Sequence, residues 1–130
     1  MNLRELCARD LMTSTILSAS LDESLREAAR RMMQAHVHAL LVARQPGQAP
    51  GLLTTKDIVQ AVADGDDGVL DILRVADAMT CPAITVTARM RITDCIGLMR
   101  LTGVRVAPVT DDDRIVGVLS YTDVARAAAA

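Results

Sequence analysis

The sequence predicts an α/β fold of the α+β kind, made of two similar halves that pack together, and three observations lead there. The first is an internal repeat. Asp-Leu-Met-Thr at Asp10 to Thr13 returns as Asp-Ala-Met-Thr at Asp77 to Thr80, and GLLTTKDI from Gly51 to Ile58 returns as GVLSYTDV from Gly117 to Val124. Met12 and Met79, Met32 and Met99, and Val42 and Val109 are each 67 apart, whereas Asp57 and Asp123 are 66 apart, so one loop of the second copy is a residue shorter. The second observation is size. The 130 residues suit one ordinary domain, but each half alone would bury only about 60% of its unfolded surface and be marginal. The third is that each copy carries the same succession of helical and strand patterns. With 51% hydrophobic residues the chain has enough apolar surface for one shared core. The reading divides it into residues 1–66, with an N-terminal helix, and residues 67–130.

Within the first copy, Leu25, Ala28, Ala29, Met32 and Met33 fall at helical spacing, with Arg26, Glu27, Arg30 and Arg31 on the other face. Ser24 with Glu27 fits a capping box and is preferred over Ser20 with Glu23, because the apolar stripe begins at Leu25. Ile92, Cys95, Ile96 and Met99 repeat the stripe, but Arg91 stands where a cap should be, so the second helix start is expected to be weaker. Each helix leads into an aliphatic strand, Val37 to Ala43 or Val104 to Thr110. A turn-rich loop follows, RQPGQAP or TDDDR, then a short strand at Gly51 to Leu53 or Ile115 to Leu119 and a second helix. The acidic run Asp111 to Asp113 reads as a solvated hairpin turn. DGDDG at Asp64 to Gly68 lacks the ligand alternation and closing Glu of a calcium loop and reads as the linker. The closing ARAAAA can prolong the last helix, Ala being the best helix former.

Composition excludes several functions. No run of 18 or more apolar residues offers a membrane span, and MNLRELCARDLM carries charges where a signal peptide needs an apolar segment, so a cytoplasmic protein is expected. A net charge of −2 gives no footprint for nucleic acid, and the lone aromatic residue, Tyr121, provides no stacking platform for single strands. Cys7, Cys81 and Cys95 show neither an even count nor zinc spacing and read as reduced thiols; His36 and His38 lack a visible third ligand for a metal. No Gly-rich phosphate loop of the P-loop type is present and no base stands at motif spacing from a cysteine, so catalysis is not expected.

One constellation carries chemistry. Thr54 and Asp57 sit three apart at a strand-to-helix junction, as do Ser120 and Asp123. That spacing places a hydroxyl and a carboxylate on the first helical turn, beside amides with no intrahelical partner. Such a pair can cap its helix, or it can bond a vicinal diol such as ribose. Its recurrence at matching places in a repeat favours the second use.

The D-x-M-T start, the Glu27-Ala28 and Asp94-Cys95 helix centres, the h-x-x-h-P-V-like strands and the closing G-h-h-T/S-x-x-D, in that order twice between about Asp10 and Val124, resemble the tandem cystathionine beta-synthase (CBS) domain pair, a Bateman module, here as a stand-alone chain. The resemblance implies β-α-β-β-α repeats packed as a pseudo-twofold pair around small sheets. It implies a regulatory module that binds AMP, ADP, ATP or S-adenosylmethionine in clefts between the copies, with no cofactor required, and signals to a separate partner protein. Thr54, Asp57, Ser120 and Asp123 would hold ribose. The strand after Met-Thr, at Ile16 and Leu17 and at Ala83 and Ile84, would line the adenine pocket, and His38 and Arg105 would reach phosphate. Leu41 replaces the strand proline that Pro108 keeps, so two equal sites are not expected. A homodimer is implied as well. The alternative is a ligand-independent dimerisation scaffold.

Overall fold

The structure, a computed structural model, describes residues 2–45, 47–66 and 68–130; Pro46 of the RQPGQAP loop and Asp67 of the DGDDG linker lie outside the described residues. In chain order the elements are α1 (Ala8–Leu11), β1 (Ser18–Ala19), α2 (Leu25–Ala35), β2 (Ala39–Val42), β3 (Gly51–Thr54), α3 (Thr55–Asp64), α4 (Val69–Ile72), α5 (Val75–Ala78), β4 (Val86–Thr87), α6 (Ile92–Thr102), β5 (Val106–Asp111), β6 (Arg114–Ser120) and α7 (Tyr121–Ala129). The β-α-β-β-α succession thus occurs twice, in a mixed α/β fold with two three-stranded sheets. Each sheet has one parallel and one antiparallel pair: β1-β2-β3, then β4-β5-β6.

The chain folds into two compact units, Leu17–Ala83 and, discontinuously, Met1–Ile16 with Ile84–Ala130. Each has its own core, in place of the single shared core expected from composition. In the Leu17–Ala83 unit the core is Ala19, Leu25, Ala28, Met32, Leu40, Val42, Leu53, Leu70 and Val75. In the discontinuous unit it is Ala8, Val86, Ala88, Ile92, Cys95, Met99, Ala107, Val109 and Leu119. The physical reason is that each three-stranded sheet buries one face against its own amphipathic helix and a borrowed helix. Val75 of α5 completes the core built on the first repeat's sheet, and Ala8 of α1 completes the core built on the second repeat's sheet.

Hydrogen bonds fix this exchange and repeat almost atom for atom. In the Leu17–Ala83 unit, the amides of Val75, Ala76 and Leu25 donate to the carbonyls of Glu23, Leu21 and Leu73 at 2.9, 3.0 and 3.1 Å. In the other unit, the amides of Ala8, Arg9 and Ile92 donate to Met90, Ala88 and Leu6 at 2.8, 2.9 and 2.9 Å. The repeat of sequence and the unit of packing are therefore offset by one segment. Each D-x-M-T start is folded onto the sheet of the other repeat.

Local structure follows the sequence chemistry closely. Ser24 caps α2 by accepting from the Glu27 amide at 3.1 Å, but the return half of the box is absent, and the Glu27 carboxylate lies 3.7 Å from Arg30. Arg91, at the start of α6, makes no side-chain capping bond. Leu25, Ala28 and Met32 are buried on one face of α2, whereas Met33, about 100° further round the helix, is 60% exposed and lies off the core stripe. Helices α2 and α6 end in left-handed residues, His36 at φ 55° and Gly103 at φ 77°. The β5–β6 hairpin turns on Asp112 and Asp113, both at positive φ (50° and 63°), which is the twist a two-residue hairpin loop requires. The residue missing from the second copy belongs to this connection, since Val42 pairs with Gly51 while Val109 pairs with Gly117. Among the described residues no helix is long and apolar enough to cross a membrane.

Candidate functional site

Each candidate site is a strand-to-helix junction, and its architecture follows from the two duplicated motifs meeting in one unit. Gly51 opens β3 and Gly117 lies in β6. A methyl group at Gly51 would come within 2.7 Å of the Met79 sulfur; at Gly117 it would meet the Met12 sulfur at 2.5 Å and the Thr13 carbonyl at 3.0 Å. Glycine is needed because the Met of D-x-M-T lies against the backbone there. The Thr of the same motif then pairs with the strand: Thr80 and Leu52 exchange bonds of 2.9 and 3.0 Å, and Thr13 and Val118 exchange two of 2.9 Å. Asp10 and Asp77 secure the short helices carrying these motifs, accepting from the amides of Cys7 at 2.9 Å and Arg74 at 2.8 Å. That amide bond, with the Cys7 thiol, holds the Asp10 carboxyl below the ordinary carboxylate range.

At the first junction, the Thr54 amide and hydroxyl donate to Asp57 Oδ2 at 2.8 and 3.1 Å. Asp57 is half-buried, and among the described residues its Oδ1 has no hydrogen-bond partner. The carboxylate borders a cleft of about 330 Å³ lined also by Gln60, Asp64, Val69 and Asp77. At the second junction, the Ser120 amide and hydroxyl donate to Asp123 Oδ2 at 2.9 and 3.0 Å. Here Oδ1 is taken as well: it accepts from the Thr13 hydroxyl at 3.0 Å and from Arg126 at 3.2 Å. Asp123 is 6% exposed.

The basic candidates lie beside these junctions. The Thr55 amide donates to the His38 carbonyl and the Tyr121 amide to the Arg105 carbonyl, both at 3.0 Å, and both basic residues are exposed. Leu17, His38, Thr54, Asp57 and Ala83 belong to the Leu17–Ala83 unit, where Asp57 alone of the five lines the cleft, and Ile16, Ile84, Arg105, Ser120 and Asp123 belong to the discontinuous unit. The chain passes from one unit to the other between Ile16 and Leu17 and again between Ala83 and Ile84. All four residues lie in irregular segments ahead of β1 and β4, not in the strands themselves. The Leu17 carbonyl accepts from the Leu41 amide at 2.9 Å, a bond that Pro108, having no N–H, cannot offer at the matching place. The Ala83 amide donates to the Pro50 carbonyl at 2.9 Å.

Sequence reasoning did not single out Thr13 and Arg126 as partners of Asp123. One signal was available, since aligning the copies sets Arg126 against Gln60. The Gln60 amide instead bonds Asp64 at 3.1 Å. All three thiols are free: the Cys7 thiol donates to Asp10 at 3.3 Å, Cys81 accepts from Arg44 at 3.1 Å, and Cys95 is buried. Burial pushes the Cys95 thiol up to about 11, with the neighbouring Asp94 carboxylate adding to the effect. Among the described residues no group of three or more His, Cys, Asp or Glu side chains could hold a metal.

A sequence model of the CBS domain matches residues 8–64 and 75–130. The chain belongs to the CBS-domain family. The CBS domain-containing protein YhcV of Bacillus subtilis is 30% identical over 118 residues, which cover 90% of this chain and 81% of that protein. An uncharacterized conserved protein from Pyrococcus horikoshii superposes with a TM-score of 0.87 at 24% identity, covering 98% and 95% of the two chains. The CBS domain pair of protein MJ0100, solved with 5′-methylthioadenosine and S-adenosyl-L-methionine, superposes at 0.82 with 22% identity and 95% of each chain covered. At these identities the two structures show that the CBS-pair fold is shared.

Proposed function

We propose that this CBS pair is a cytoplasmic regulatory sensor of an adenosyl compound, AMP, ADP, ATP or S-adenosylmethionine, whose ribose is held at one of the two duplicated junctions, Thr54 with Asp57 or Ser120 with Asp123. The observation that carries the reading is the duplicated junction itself. A hydroxyl and a carboxylate share one helical turn, and Asp57, whose Oδ1 has no hydrogen-bond partner among the described residues, lines a cleft. A vicinal diol supplies two donors for such an acceptor, and charge-assisted bonds of this kind are among the stronger ones available. Ile16, Leu17, Ala83 and Ile84 contribute aliphatic and backbone contacts to adenine, and His38 and Arg105 supply the positive charge for phosphate. Arg105 does so at any physiological pH and His38 only when protonated.

A regulatory role fits these junctions because each hydroxyl–carboxylate pair is placed to bond a ligand at the start of a helix. Ligand binding changes the balance between conformations to the extent that they differ in affinity for it. A partner protein, or a second copy in a homodimer, reads that change. Isothermal titration with AMP, ADP, ATP and S-adenosylmethionine, on the native chain and on Asp57→Ala and Asp123→Ala, tests the proposal. Saturable binding that one of these variants abolishes is the expected result. Absence of heat from all four compounds overturns it in favour of a dimerisation scaffold, in which the junction motifs only cap helices.

A further inference from the structure

We infer that the two junctions are not equivalent sites: the Asp57 junction takes the adenosyl ligand, and the Asp123 junction is closed by the chain's own Thr13 and Arg126. This rests on the adenosyl reading above and adds to it the number of sites, their location and the residues that decide it. The two carboxylates differ in the number of acceptor positions already filled. An ionised carboxylate offers about four lone-pair positions. Asp123 uses all of them: Ser120 amide and hydroxyl on Oδ2, Thr13 hydroxyl and Arg126 guanidinium on Oδ1. Among the described residues Asp57 uses two, both on Oδ2, filled by Thr54.

A diol arriving at Asp57 therefore adds bonds to an oxygen that has none from the described residues. A diol arriving at Asp123 must first displace two internal donors from a side chain that is 5% exposed. Exchange of one set of bonds for another gives little net gain, whereas a new bond to a charged acceptor is worth about ten- to a hundredfold in affinity.

The closure has an identifiable origin in sequence. Arg126 is one turn along α7 from Asp123 and reaches back to it, while its counterpart Gln60 bonds Asp64 instead. Thr13 and Thr80 occupy matching positions and make the same backbone pairing, yet the Thr13 hydroxyl donates to its aspartate and the Thr80 hydroxyl makes no bond to Asp57. Thr13 and Arg126 are thus specificity-determining residues that act by occupying the acceptor.

Binding stoichiometry tests this, measured by equilibrium dialysis and calorimetry with AMP, ATP and S-adenosylmethionine as separate probes. The native chain, Asp57→Asn, Asp123→Asn and the double variant Thr13→Val/Arg126→Gln are compared, with circular dichroism verifying that each is folded. One equivalent per native chain is expected, weakened at least tenfold in Asp57→Asn and kept in Asp123→Asn, with a second equivalent appearing in the double variant. Two equivalents on the native chain, or loss of binding in Asp123→Asn but not in Asp57→Asn, overturns the inference and leaves the adenosyl reading standing. A double variant that stays at one equivalent overturns the role given to Thr13 and Arg126. No binding of any probe to any of the four proteins overturns the adenosyl reading and this inference together.

Discussion

The Asp57 and Asp123 junctions descend from one motif and share a backbone, yet one carboxylate is half free and the other is saturated with bonds. Around them the two units agree closely. The hydrogen bonds that seat α5 on one sheet are matched by those that seat α1 on the other, and Val75 is buried as Ala8 is. Most aligned side chains differ on this common frame, among them Gln60 against Arg126, Leu41 against Pro108 and Ala28 against Cys95. The lesson is that a duplicated motif duplicates its geometry without duplicating its availability. A carboxylate that could bond ribose is a site only where the rest of the chain has left it an open lone pair.

Removal of each carboxylate should separate the two junctions most widely in stability. Asp123→Ala deletes four bonds from a buried position and is expected to cost about 3 kcal/mol in denaturant unfolding, whereas Asp57→Ala deletes a cap and should cost about 1 kcal/mol. Equal costs would mean the two aspartates are held alike.

A second contrast lies in the cores, where Cys95 occupies the place that Ala28 fills in the other unit. With its folded pKa raised to about 11 from 9.0, the thiol ionises first in the unfolded chain, so stability falls as pH rises above about 9 and the decline levels off beyond about 11. The full loss is about 2 to 3 kcal/mol, and chemical denaturation from pH 8 to 11.5 should show it in the native chain but not in Cys95→Ala.

Smaller again is the difference between the glycines. Gly117→Ala meets the Thr13 backbone as well as Met12, while Gly51→Ala meets chiefly the flexible end of Met79. The former is expected to lower the unfolding free energy by about 2 kcal/mol and the latter by about 1 kcal/mol. Arg126→Ala should move stability least, by under about 0.5 kcal/mol, because its side chain is 70% exposed and three other donors still hold the buried Asp123 carboxylate. Its consequence belongs to binding.

Much of this is legible in the amino-acid sequence itself. The 67-residue spacing located both copies, the stripes Leu25-Ala28-Met32 and Ile92-Cys95-Met99 located the two buried helix faces, and Ser24 was read correctly as a cap. The motif also announced where hydroxyl and carboxylate would meet, because a three-residue spacing at a helix start allows little else. What could not be read was which sheet each D-x-M-T segment joins. Met12 satisfies Gly51 or Gly117 equally well as a pattern, and only the packing of α1 and α5 decides that the partners are exchanged. The same blindness hid the Thr13–Asp123 bond, which joins residues at opposite ends of the chain. Nor does composition reveal that apolar residues divide between two cores; that depends on the short α4 and α5 segments turning back onto the first sheet.

The most direct measurement of the central claim is a crystal structure of the chain grown with saturating S-adenosylmethionine, and in parallel with AMP. The account predicts one nucleoside per chain, its ribose hydroxyls within hydrogen-bond distance of Asp57, and the Thr13 and Arg126 bonds to Asp123 intact. A nucleoside on Asp123, with Arg126 swung away and Asp57 left bare, would contradict it.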